Sequence, residues 1–356
     1  MPSLIRWPPE RTGMGKQATI AAVKPQRQRR NSTRTWPDTG ISILNGMVGD
    51  YLDRRGNGLA IAMSLQHGGR PLPPEARALT AAHPQATRRI CVYVHGYCCN
   101  ESVWSFPASG AAEVVDADSY GTRLWRDGGF TPFFVRYNTG LPIAENGAHL
   151  AALLGELAAA YPQPIDEIVL VGHSMGGLVL RSACNPAHPA AQAWIGLVRH
   201  VIYIGTPHDG ADLARFAHLT TRTLHAIPNR VTQLIGDILN LRSRGVKDLM
   251  HGNAAAESEA PPWLPSARHH VLMGTLTRDP AHPIGRIFGD ALVRLPPTHN
   301  ASIDGSASPE VTVFPRVHHL ALAHDASVYR HIKHICASRP QGERAWKKQR
   351  CASFAA

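Results

Sequence analysis

The chain has 356 residues, long enough to bury one large core or two modest ones, and carries 37 Lys/Arg against 26 Asp/Glu for a formal net charge of +11. Residues 1–40 hold eight basic and two acidic residues and residues 338–351 hold five and one, so the stretch between is almost neutral. That distribution, with no aromatic-interleaved basic pattern, excludes a nucleic-acid module and leaves two solvated tails, 1–40 and 338–356, that are expected to be disordered.

The start of the chain has no apolar signal core, and no apolar run is long enough to cross a bilayer. The expectation is therefore a cytoplasmic protein. Six cysteines without metal-ligand spacing read as reduced thiols, so neither a metal nor a cofactor is expected.

Residues 41–87 form an N-terminal helix and hairpin segment. Ile41 to Leu52 repeats apolar positions near the helical period, Ala60 to Leu65 reads as a strand, and Gly68 to Pro74 as a loop. The segment either caps the sheet edge or forms a hood over a substrate entrance.

Alternating elements begin at residue 88. Ile90 to Val94 is a buried strand ending in His95-Gly96. A helix runs through Leu124-Trp125, a strand follows over Thr131 to Tyr137, and a helix spans about Glu145 to Tyr161, where Pro162 stops it. Ile168 to Val171 is another fully buried strand, and it runs straight into Gly172-His-Ser-Met-Gly-Gly. The helix after this turn reads as Leu178 to Ala183. Strands follow at Val198 to Ile204, ending in Gly205-Thr-Pro-His-Asp-Gly, and at His270 to Leu276, with a closing strand at Val311 to Val317. Strands alternating with helices predict an α/β fold, a mostly parallel sheet with helices on both faces.

A strand, a Gly-x-Ser-x-Gly turn and a helix together single out Ser174 as a nucleophile. Its hydroxyl then requires a base, a carboxylate to orient that base, and donors for a developing oxyanion. Gly96 lets the chain turn back, so the N–H groups of Tyr97 and Met175 are the candidate oxyanion donors. Beyond the strand at 270–276, Asp279 and Asp290 compete for the carboxylate, whereas Asp304 reads as a turn residue. The base is sought just past the closing strand, at His318-His319. Neighbouring side chains diverge, and His319 is chosen because it abuts the apolar Leu320-Ala-Leu run.

Residues 209–262 are too long for an ordinary crossover. Within them Val231 to Leu241 is amphipathic, and the stretch reads as a helical cap or lid insertion. Its apolar stripe either packs on the body or lines an acyl site.

Val94-His-Gly-Tyr, Gly172-His-Ser-Met-Gly-Gly, Gly205-Thr-Pro-His-Asp-Gly, and Gly289-Asp-Ala-Leu-Val with Val317-His-His-Leu resemble the α/β-hydrolase superfamily. Within it they are similar to the lipase/esterase branch of bacterial triacylglycerol lipases and PGAP1-like hydrolases. The resemblance covers about residues 88–335 and implies an α/β-hydrolase fold over a catalytic domain, 88–337. It implies a Ser174, Asp290 and His319 triad with Tyr97 and Met175 as the oxyanion hole. The family often has Gly where Ala291 follows the acid.

The function expected is hydrolysis of carboxylic esters, of small molecules or lipids, through an acyl-enzyme. Alternatives are an acyltransferase using the same acyl-enzyme and a non-catalytic binding module on the same scaffold. No nucleic-acid partner is expected, and membrane contact would be weak and peripheral, through the basic tails or the cap.

Overall fold

The computed structural model describes residues 38–106, 118–186, 188–208, 263–277 and 309–338, which belong to one compact unit. Six strands, β3 (Arg89–Val94), β4 (Thr131–Arg136), β5 (Glu167–His173), β6 (Val198–Ile204), β7 (Arg268–Thr275) and β8 (Glu310–Pro315), run parallel. An antiparallel hairpin, β1 (Ser64–His67) and β2 (Arg70–Leu72), extends the sheet beside β4. The full order is β2-β1-β4-β3-β5-β6-β7-β8.

The apolar strand runs follow from burial on both faces. Ile90, Val92 and Val94 of β3, with Ile168 and Leu170 of β5, join one core under α1 (Asp38–Arg54), α4 (Ile143–Ala160) and α5 (Met175–Ala183). Cys91 and Tyr93, with Val169 and Val171, join a second core under α3 (Tyr120–Gly128) and α6 (Ala326–Ala337). A short α2 (Ala76–Ala82) packs Leu79 into the first core.

The chain leaves β3 toward β4 on one side and returns to β5 on the other. That reversal is a topological switch point, and in open α/β sheets sites form there, outside the carboxyl ends of the strands. This is the expected α/β-hydrolase arrangement.

Several boundaries differ from the sequence expectations. The strand expected at Ala60 to Leu65 begins only at Ser64, and the stretch expected to be loop, Gly68 to Pro74, contains β2. Asn45 explains the first difference. Its side-chain carbonyl accepts from Ile61 N at 2.9 Å and its amide donates to Leu59 O at 2.8 Å, so residues 59–61 are held by a helix rather than by a strand. The helix α1 starts at Asp38, ahead of residue 41, and kinks at Val48. The helix after the elbow starts at Met175 rather than Leu178, and α4 starts at Ile143, behind Pro142. The segment expected to be a cap, 209–262, lies outside the described residues. So do most of both tails.

Candidate active site

Turns at the carboxyl ends of β3, β5 and β8 build the site. Among the described residues, the three non-glycine positions with positive φ all lie in these turns: Cys98 (φ 58°), Ser174 (φ 53°) and Arg316 (φ 63°). Each such conformation costs on the order of 1–3 kcal/mol and persists only where surroundings over-determine it.

At Ser174 the surroundings are backbone. A Cβ on Gly176 would collide with the carbonyl oxygens of Val94 and His95, and one on Gly172 would sit 2.7 Å from Gly177 Cα. Only glycine lets β5 and α5 close on β3 in this way. Ser174 N donates to Ile204 O at 2.8 Å, and Gly177 N donates to Ser174 O at 3.0 Å, so the turn is bonded on both sides. Ser174 itself is 3% exposed. Met175 is the first residue of α5, so its N–H has no acceptor within the helix and belongs to the positive end of the helix dipole.

The loop after β3 folds into a tight turn, with Cys99 N donating to Gly96 O at 3.2 Å. Tyr97 takes the second position and Cys98 the third, where a positive φ is required. Cys98 N donates to Thr139 Oγ1 at 3.2 Å. Behind the turn, a Cβ on Gly46 of α1 would collide with Cys98 Sγ and lie 3.1 Å from the Tyr97 ring. The N-terminal helix thus braces this loop from behind. A Cβ on Gly96 would lie 3.0 Å from Ser174 Cβ, so the loop passes directly against the nucleophile.

His95 is fully buried and stacks on Tyr137 at 4.5 Å, and the Tyr137 hydroxyl donates to His95 O at 2.9 Å. Burial lowers its pKa to about 4, which keeps the ring neutral. Its place is behind the loop, supporting the turn.

The left-handed Arg316 turns the chain off β8, and Val317 is buried behind it. The two neighbouring histidines then part. His318 is exposed, and its Nδ1 accepts from Ala321 N at 3.3 Å, which caps the following turn. His319 is 4% exposed and packs its ring 4.9 Å from that of His173, the residue before Ser174. The backbone oxygen of His319 accepts from His173 Nε2 at 3.1 Å. The structure therefore brings His319, Ser174, Met175 and Tyr97 to one rim. The carboxylate candidates Asp279 and Asp290, with Asp304, lie outside the described residues.

Residues 148–245 match the family model of the PGAP1-like alpha/beta domain. No curated protein matches the chain. Among solved structures, the mature lipase BlEst2 of Bacillus licheniformis is 21% identical, covering 71% of this chain and 93% of that one, with a TM-score of 0.46. Lipase 1 of Pelosinus fermentans is 14% identical over 71% of this chain and 99% of its own, with a TM-score of 0.42. The Staphylococcus hyicus lipase is 14% identical over 70% and 94%, with a TM-score of 0.39. The PGAP1-like match and the four sequence stretches agree: the chain is similar to the lipase/esterase branch of the α/β-hydrolases.

Within the PGAP1-like region, the Gly205-Thr-Pro-His loop locks β6 to the elbow. Gly205 N donates to Leu272 O at 2.7 Å, and a Cβ on Gly177 would collide with the Thr206 side chain. His208 packs between Tyr203 and Trp263, and burial followed by the nearby Arg181 lowers its pKa to about 3. Among the described residues no cluster of His, Cys, Asp or Glu could hold a metal ion. No helix among them is long and apolar enough to cross a membrane.

Sequence reasoning missed His173, which lies inside the elbow motif but reads there only as a spacer, and Thr139, which holds the loop after β3. Neither contact leaves a trace in the local pattern, because both partners are distant in sequence.

Proposed function

We propose that the chain is a serine hydrolase acting on carboxylic esters of small molecules or lipids. The observation that carries this reading is the left-handed Ser174, held between β5 and the start of α5, with the buried His319 packed on His173, the residue before it. His319 takes the hydroxyl proton as Ser174 Oγ attacks the ester carbonyl. The N–H groups of Tyr97 and Met175 stabilise the tetrahedral oxyanion, each contributing roughly 3–4 kcal/mol in the transition state. His319 returns the proton to the leaving alcohol, an acyl-Ser174 remains, and water attacks it by the same route to release the acid. Asp290 orients the imidazole and stabilises its cation without taking the proton.

Ser174→Ala assayed on short-chain p-nitrophenyl esters tests this. The loss expected in kcat is roughly 10⁴–10⁶-fold. Activity within tenfold of the native protein would remove Ser174 from the mechanism.

A further inference from the structure

His319 stands four residues beyond the end of β8, whereas Ser174 follows β5 directly. Two strands, β6 and β7, separate β5 from β8 in the sheet. At about 4.8 Å per strand, the chain leaving β8 must lean back over roughly 14 Å to bring an imidazole to the elbow. A short loop carrying a catalytic base over that span needs anchors.

Two anchors lie downstream of the base. The Tyr120 hydroxyl has Leu322 O at 2.9 Å and Asp325 O at 2.8 Å as acceptors for its one hydrogen and accepts from Asp325 N at 2.9 Å, and His324 Nδ1 bonds Val103 O at 3.2 Å. These fix residues 322–325 against the segment after β3 and against α3. Residue 319 itself is tied to the elbow through its backbone: His173 Nε2 donates to the His319 carbonyl oxygen at 3.1 Å. A carbonyl can only accept, so Nε2 must carry the hydrogen. The His173 ring is buried between the edge of Trp104, with centroids 6.3 Å apart, and the His319 ring. Its backbone is the last residue of β5, next to the nucleophile, so any shift of the elbow passes directly to the base.

We propose that His173 is a positioning residue: its Nε2–H holds the His319 backbone against the elbow and sets the reach of the base to Ser174. This rests on the ester-hydrolase reading. It predicts a dependence on where the donor sits rather than on ring character. Glutamine carries an N–H at the reach of Nε2, whereas asparagine stops one methylene short and leucine has no donor.

The test is the rate and stoichiometry of fluorophosphonate labelling of the full chain, with kcat and KM on a p-nitrophenyl ester. The expectation is native labelling at Ser174, with His173→Gln within about threefold of its rate. His173→Asn and His173→Leu should label at least tenfold more slowly, yet still reach one label per chain. In the same two variants kcat should fall while KM holds. A His173→Leu protein that labels at the native rate would overturn the proposal. So would one whose label count falls while the labelled fraction reacts normally, because that marks a role in folding alone. Should the leucine and asparagine variants not fold, ¹⁵N spectra of the native imidazoles decide. A proton on His173 Nε2 is required, and one on Nδ1 alone overturns the assignment. Native protein that never labels at Ser174 would instead sink the ester-hydrolase reading, and this positioning role with it.

Discussion

The two ends of the parallel strands solve opposite problems. At their carboxyl ends the backbone is strained, with Cys98, Ser174 and Arg316 all left-handed, and the side chains around them are small or buried. At their amino ends the backbone is ordinary and side chains pair across neighbouring strands. Arg88 bonds Asp166, Arg89 bonds Glu167, and His270 contacts both His200 and Glu310. Strain therefore sits where, in the proposed mechanism, a hydroxyl, donors and a base converge.

Ion pairs sharpen the contrast. At the amino ends, the partners of Arg88–Asp166 are more than half exposed, so solvent screens them. At the rim, Arg136 pairs with Glu101, whose side chain is only 2% exposed, and with Asp38 of α1 at 2.9 Å. These contacts clamp the segment that follows the loop after β3 to β4 and to the N-terminal helix.

The largest effect expected from this contrast separates the adjacent histidines. His319→Ala should lower kcat by roughly 10⁴–10⁶-fold, as loss of a triad base does. His318→Ala should stay within about threefold, since its ring caps an exposed turn. Equal losses would erase the distinction between a buried and a solvated neighbour. Next in size is Arg136→Met, which strands the buried Glu101 carboxylate and should cost roughly 3–5 kcal/mol in chemical denaturation. Arg88→Ala at the other end should leave the denaturation midpoint unchanged. A reversed order would show that exposure does not decide the worth of these pairs.

The smallest effect concerns pH. Burial, with mutual repulsion in support, lowers His200 to about 4, and burial lowers His270 to about 4 despite the opposing Glu310 carboxylate. His269, His331, Arg268, Arg89 and Arg199 also act on this pair. A histidine held neutral in the folded state takes up a proton on unfolding. Its contribution is therefore fully present above pH 6.5 and is lost as pH falls from there toward 4. The denaturation midpoint should drop between pH 7 and pH 5, and His270→Gln should flatten that drop. A midpoint independent of pH over this window would contradict neutral burial of the pair.

Much of this architecture was legible in the sequence because the parallel strands are buried on both faces and so read as unbroken apolar runs. The elbow was legible for a different reason: Gly172, Ser174 and Gly176 are the residue types its close approach requires. The helix α6 carried a signal that was passed over, with Asp325 as N-cap and Val328, Tyr329, Ile332, Ile335 and Cys336 on its buried stripe. The contacts of His173 and Thr139 were not legible, since they depend on how loops from distant strands meet. The left-handed Cys98 was equally hidden, because a positive φ at a non-glycine residue is imposed by its surroundings. Choosing between Asp279 and Asp290 rested on resemblance, and both lie outside the described residues.

The central claim is that Ser174 carries the acyl group between two half-reactions. Acid-quenching the protein during turnover of a p-nitrophenyl ester and mapping the adduct by mass spectrometry tests it most directly. The account predicts a stoichiometric acyl group on the peptide containing Ser174, absent in Ser174→Ala. Turnover with the acyl group on another residue would contradict it.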